Sequence, residues 1–192
     1  SCPSVTSAIR FIKRSAASAH LLNHRGKAKV FEDLTECQKY LLDENSDVTP
    51  DTVIVLRGYG PKGAPGMPEN GNFMPLPPKL NKMGVKDFVR ITDARMSGGC
   101  FGTQVLHVAP ESAVGGPLAA VRDGDIIHLD VDNNKIELEV TDEDLKGVTV
   151  VKVENARYMM GVMSSRFYGE PSKKLKVIGI TGTKGKTTTA CM

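Results

Sequence analysis

The chain has 192 residues, 40 % of them apolar and 24 % charged, with a net charge of +3. That is the make-up of one globular domain, or of one domain and a further piece. No apolar run approaches the roughly 20 residues of a membrane-spanning helix, and the opening SCPSVTSAIRFIKR has neither the apolar core nor the cleavage site of a secretory signal. With no tryptophan and 5 % aromatic residues, the chain also lacks a stacking surface for single-stranded nucleic acid.

The elements follow in chain order. Ser15 onward reads as a loop or short helix, with Gly26 as the turn before a strand over Lys27 to Phe31. Leu34 to Leu42 reads as a helix, with Asp33 as N-cap and Glu36 three residues on. After the polar turn Asn45 to Thr52, VIVLR (Val53 to Arg57) is an apolar core strand. The loop from Gly58 to Leu80, GYGPKGAPGMPENGNFMPLPPKL, holds five glycines and six prolines. A long ordered loop directly after a buried strand is usually functional. Phe88 to Thr92 is a further strand, and DARMSGGCFGT (Asp93 to Thr103) a second glycine loop. Gln104 to Val108 is a strand. Asp123-Gly124 marks a turn, and Asp132-Asn133-Asn134 a hairpin between IIHLDV and KIELEV. The pattern predicts an α/β fold: a barrel-like mixed β-sheet domain with flanking helices, ending near Leu145.

From Lys146 onward the character changes. Nine Lys/Arg face two Asp/Glu there, whereas the first 145 residues are weakly acidic. A strand leads into helical spacing, with Ala156, Met159, Met160, Met163 and Phe167 on one face, a stripe best read as core packing. KLKVIGITGTKGKTTTACM then reads as strand, phosphate loop and helix start. Gly182 and Gly185 would free backbone amides around a phosphate, with Thr183 between them. Lys186 adds a point charge, and Thr187 or Thr188 can hold a magnesium ion, which together suit ATP. The first glycine of the usual pattern would fall at Ile180, so the match is incomplete. The start at Ser1 and the stop inside a helix start predict a fragment.

Cys2, Cys37, Cys100 and Cys191 are widely spaced and form no CxxC pair. A reduced, cytoplasmic setting with inert thiols fits them better than a disulfide framework. In the body, Glu69 ends GPKGAPGMPE on a stiff loop, where an oxygen donor suits a hard cation; alone it also fits a solvated loop acid. Ser97 precedes two glycines, where close amides would favour an activated hydroxyl; alone it also fits a turn serine. His107 in HVAPE fits a rim or core histidine.

Together these stretches carry a resemblance. SAASAHLLNHRGKAKVFED, GPKGAPGMPE, ITDARMSGG and HVAPESAVGGPLAAVRDGDIIHLDV, in order over Ile12 to Leu145, look like the C-terminal domain of the dihydroxy-acid/phosphogluconate dehydratases. The first eleven residues do not match. The resemblance implies a hydro-lyase, dependent on magnesium and an iron–sulfur cluster, that turns a 2,3-dihydroxy acid into a 2-keto acid. It implies that Glu69 is a magnesium ligand and that Ser97, as alkoxide, takes the C2 proton. It places the cluster cysteines and the other magnesium ligands in an N-terminal domain absent from this chain, and implies a homo-oligomer. ENGNFMPLPPKL and DARMSGG look most like the sugar-acid (aldonate) dehydratases. The expected substrate is therefore a sugar acid, or otherwise a branched-chain dihydroxy acid, and the chain alone should be inactive.

The segment VENARYMMGVMSSRFYGEPSKKLKVIGITGTKGKTTT, within 146–192, resembles the Mur ligases of cell-wall synthesis, closest to the one adding the third amino acid. Lys184 replaces the Asn of that family's loop. This second resemblance implies an ATP-binding ligase fragment joined to the dehydratase domain of 1–145.

Overall fold

The computed structural model describes residues 4–6, 9–66, 68–70, 74–96, 101–133 and 135–139, with 158–159, 162, 165–166, 169–170 and 173. The chain forms two compact units, Ser1–Val151 and Lys152–Met192. In the second, residues 158–159, 162 and 165–166 are helical. The expected tail strand and its phosphate loop, including Gly182, Thr183, Gly185, Lys186, Thr187 and Thr188, lie outside the described residues.

The first unit contains strands β1 (Ser4–Thr6), β2 (Ile9–Ile12), β3 (Asn23–Phe31), β4 (Val53–Leu56), β5 (Arg90–Thr92), β6 (Gln104–Ala109), β7 (Ile126–Asp130) and β8 (Lys135–Glu139). Its helices are α1 (Leu34–Leu42), α2 (Pro78–Lys82) and α3 (Pro117–Ala120). The strands make one sheet in the order β1-β8-β7-β3-β4-β5-β6-β2. β3 to β6 are mutually parallel, and the flanking pairs are antiparallel.

The sheet curls. β1 and β2 occupy opposite edges, yet three peptide steps, at most about 11 Å, join Thr6 to Ile9. Ile91 of β5 and Leu138 of β8, with three strands between them in the sheet, line one apolar cavity with Leu118 and Val121. The result is a mixed, curled half-barrel with a few helices.

β4 shows why its sequence is uniformly apolar. Val53 and Val55 join the core inside the curl, with Val105, Ile127 and Leu129. Ile54 and Leu56 join a second core beneath α1 and α2, with Cys37, Leu41, Leu80 and Phe88. Alternate side chains thus meet apolar surroundings on both faces, as in any covered parallel strand. α1 starts where expected, because the Asp33 carboxylate accepts the Glu36 N–H at 2.9 Å.

Two expected boundaries move. Gly26 is not a turn: it lies inside β3, opposite Ile127, and a side chain there would reach 1.8 Å from the Asp51 carbonyl oxygen. β3 is long because its first half pairs with β7 and its second with β4. The strand expected over Phe88 to Thr92 begins at Arg90, although the Val89 carbonyl still accepts from the Ile54 N–H. No helix among the described residues is long and apolar enough to cross a membrane.

Candidate active site

Because β4, β5 and β6 run parallel, the loops leaving them emerge at one edge of the sheet, where open α/β sheets place ligands. Asp93, directly after β5 and 1 % exposed, organises that edge. Its carboxylate accepts the backbone N–H of Gly58 (3.2 Å), Tyr59 (3.0 Å) and Ser112 (3.0 Å), and the Ser112 hydroxyl (2.6 Å). Glu111, after β6, accepts from the N–H of Lys62 (2.7 Å) and Gly63 (3.4 Å). The first glycine loop is thus folded around two buried carboxylates. Gly60 is required there, since a Cβ would stand 1.8 Å from Glu111 Oε2.

So anchored, the loop carries Glu69 onto the second loop. Glu69 and Arg95 form a parallel backbone bridge, and the Asn70 N–H donates to the Arg95 carbonyl at 3.1 Å. Arg95 Nη1 donates to Glu69 Oε1 at 2.6 Å, both side chains being about two-fifths exposed. Glu69 Oε2 accepts no hydrogen bond from the described residues. Asn70, next in the chain, is fully buried, and neither atom of its side-chain amide has a hydrogen-bond partner among the described residues.

Ser97 lies outside the described residues, two positions beyond Arg95. His107 is part-buried near the end of β6 with a left-handed φ of 51°, its N–H bonded to the Ala94 carbonyl. Arg95 is a residue that motif reading passed over. Its signal was its place in ITDARMSGG, two residues before the candidate serine, where a cation can reach a loop carboxylate.

The donor set fits part of a magnesium site. Glu69 is part-exposed and its Oε2 accepts no hydrogen bond from the described residues, while among those residues no three His, Cys, Asp or Glu side chains gather for a metal. One ligand would come from here and the rest from elsewhere. Cys37 does not fit an iron–sulfur cluster. It is fully buried, and burial pushes its thiol up to about 12, whereas cluster ligation needs a thiolate. Cys2, Cys100 and Cys191 lie outside the described residues.

Residues 5–168 match the family model of the dihydroxy-acid/6-phosphogluconate dehydratase C-terminal domain. The chain belongs to that family. The dehydratase-family match extends past Leu145 into the segment that resembled a ligase. Among curated relatives, the L-arabonate dehydratase of Azospirillum brasilense is 57 % identical over 134 residues. The L-arabinonate dehydratase of Rhizobium leguminosarum bv. trifolii is 54 % identical over 134 residues. Each alignment covers 70 % of this chain and 23 % of the relative. The dihydroxy-acid dehydratase of Acetivibrio thermocellus is 38 % identical over 136 residues, covering 70 % of this chain and 24 % of its own length. The chain therefore spans about a quarter of these dehydratases.

Proposed function

We propose that this domain supplies one wall of the active site of a hydro-lyase that converts a 2,3-dihydroxy sugar acid into a 2-keto-3-deoxy acid. The observation that carries the reading is the Glu69 carboxylate: held at Oε1 by Arg95, with no hydrogen bond to Oε2 from the described residues, on the open edge of the parallel strands. In the reaction the C2–H and C3–O bonds break, water leaves, and the resulting enol tautomerises to the ketone. Glu69 would be one ligand to Mg2+, which when bound draws electron density from the substrate's carboxylate and hydroxyl and so acidifies C2–H. Ser97, as alkoxide, would take the C2 proton. Arg95 fixes the Glu69 carboxylate, leaving its other oxygen for the metal. The iron–sulfur cluster of the family resemblance would be held by another part of a longer polypeptide, in a cytoplasmic homo-oligomer. A sugar acid is preferred over a branched-chain acid because identity is higher to the arabinonate enzymes than to the dihydroxy-acid enzyme.

The test is 2-keto-acid release by a full-length dehydratase carrying this domain, with L-arabinonate and 2,3-dihydroxyisovalerate as substrates. Glu69→Gln and Ser97→Ala should each lower turnover at least about a hundredfold. Unchanged turnover in Glu69→Gln would sink the reading. The tail is a separate proposal. GTKGKTT carries the groups for a nucleotide phosphate, and calorimetry with magnesium-ATP should show weak binding that Lys186→Ala removes.

A further inference from the structure

Behind the exposed contact between Glu69 and Arg95 the same two loops meet again, around a buried charge. Arg90 opens β5 and is 6 % exposed. Its Nη1 donates to the Met74 carbonyl at 2.9 Å, on the loop that carries Glu69. Its Nη2 donates to the Phe101 carbonyl at 3.1 Å, on the loop that carries Arg95. One planar guanidinium thus spans both loops, which a lysine's single ammonium could not do in the same way. The cation lies over the Phe88 ring at 4.7 Å and is balanced by Asp87, whose Oδ1 stands 3.4 Å from Nη2.

Asp87 is itself held from three directions. It accepts the Thr103 N–H (2.8 Å) and hydroxyl (2.7 Å), the Ser18 N–H (3.1 Å) and its neighbour's N–H at Phe88 (2.8 Å). Gly102 leaves space for the pair: its φ is +95°, and a Cβ there would come within 2.1 Å of Arg90 Nη2 and 2.5 Å of Asp87 Oδ1.

We propose that Arg90 is a positioning residue for the candidate active site, setting through Met74 and Phe101 the separation of the loops whose outer contact is Glu69–Arg95. The inference rests on the dehydratase reading for its catalytic consequence, but the coupling of the loops can be measured without it. The Asn70 amide, bonded to the Arg95 carbonyl, reports the outer contact, and the Gly102 amide, bonded to the Ala16 carbonyl, reports the inner one.

Native-state hydrogen exchange on the 192-residue chain makes the test, comparing Arg90→Lys with the parent. Arg90→Met serves as the stronger variant if it folds. The expected result is at least tenfold faster exchange of both Asn70 and Gly102 amides, with the Asp43 amide at the end of α1 and the Gly124 amide unchanged. Acceleration at Gly102 without Asn70 would overturn the coupling, and so would a uniform rise at all four, which is loss of global stability. In a full-length dehydratase carrying the domain, Arg90→Lys should lower kcat about tenfold with KM within twofold. Loss of activity in Glu69→Gln with an unmoved Asn70 amide in Arg90→Lys refutes the positioning role alone. The reverse pattern supports the coupling and refutes the site reading.

Discussion

Arg95 and Glu69 meet twice: their backbones form a parallel bridge, and Nη1 donates to Oε1 across 2.6 Å. The pair is about two-fifths exposed, so its Coulomb term adds little to folding. Its effect is orientation of the carboxylate. Partners that hold a metal ligand typically change affinity or activity by about 10–100-fold when removed. In a full-length dehydratase carrying the domain, Arg95→Met should raise the Mg2+ needed for half-maximal rate by about tenfold, while the thermal midpoint of the domain stays within a degree or two. An unchanged magnesium requirement would remove Arg95 from the site.

Asp93 should matter far more for folding. Its carboxylate is the common acceptor for four donors on two loops. Asp93→Ala would strand three of them in a part-buried setting, the Gly58 N–H keeping Ser112 Oγ at 2.8 Å, at about 1–3 kcal/mol for each one left without water. Allowing for partial rehydration, we expect a loss of roughly 4 kcal/mol, read by urea denaturation. A loss below about 1 kcal/mol would mean that the glycine loop is anchored in another way.

Asp87 gives the domain an acid-sensitive point. Burial alone would raise its carboxyl, but hydrogen bonds from Thr103 and Ser18 outweigh that and hold it below the ordinary carboxylate range. Its folded pKa is therefore lower than its unfolded value of about 3.9. The stabilisation is fully present above that value and is lost as pH falls through the folded pKa. Asp87→Asn should destabilise the chain at pH 7, and the deficit should shrink as denaturation is repeated from pH 5 down to pH 3. A deficit that grows on acidification would contradict this sign.

Asn70 makes the opposite kind of prediction. A buried amide without partners costs about 1–3 kcal/mol, and an apolar side chain of similar volume avoids that. Asn70→Val should leave stability unchanged or raise it by roughly 1 kcal/mol, measured as a shift in urea midpoint. A loss above about 2 kcal/mol would show that the amide is engaged in solution.

What the sequence determined by itself was whatever depends on near neighbours or on composition. The cap of α1 was legible because Asp33 and Glu36 are three residues apart. The β7–β8 hairpin was legible from its turn residues, and β4 from an apolar run that two-sided burial demands. The motifs that match the dehydratase family were likewise continuous stretches, readable in order. What only the tertiary structure decided involves partners far apart in the chain. β1 and β2 are three and four residues long and exist through pairing with β8 and β6, over ninety residues away. Gly26 became a strand residue because it pairs with Ile127 across the sheet and the Asp51 carbonyl closes over it. Arg95 and Arg90 look like any loop and strand arginine until the sheet sets their loops side by side. Their roles arise from hydrogen bonds between segments 11 to 26 residues apart, and no local pattern records which carbonyl or carboxylate a guanidinium will meet once parallel strands bring two loops to the same edge.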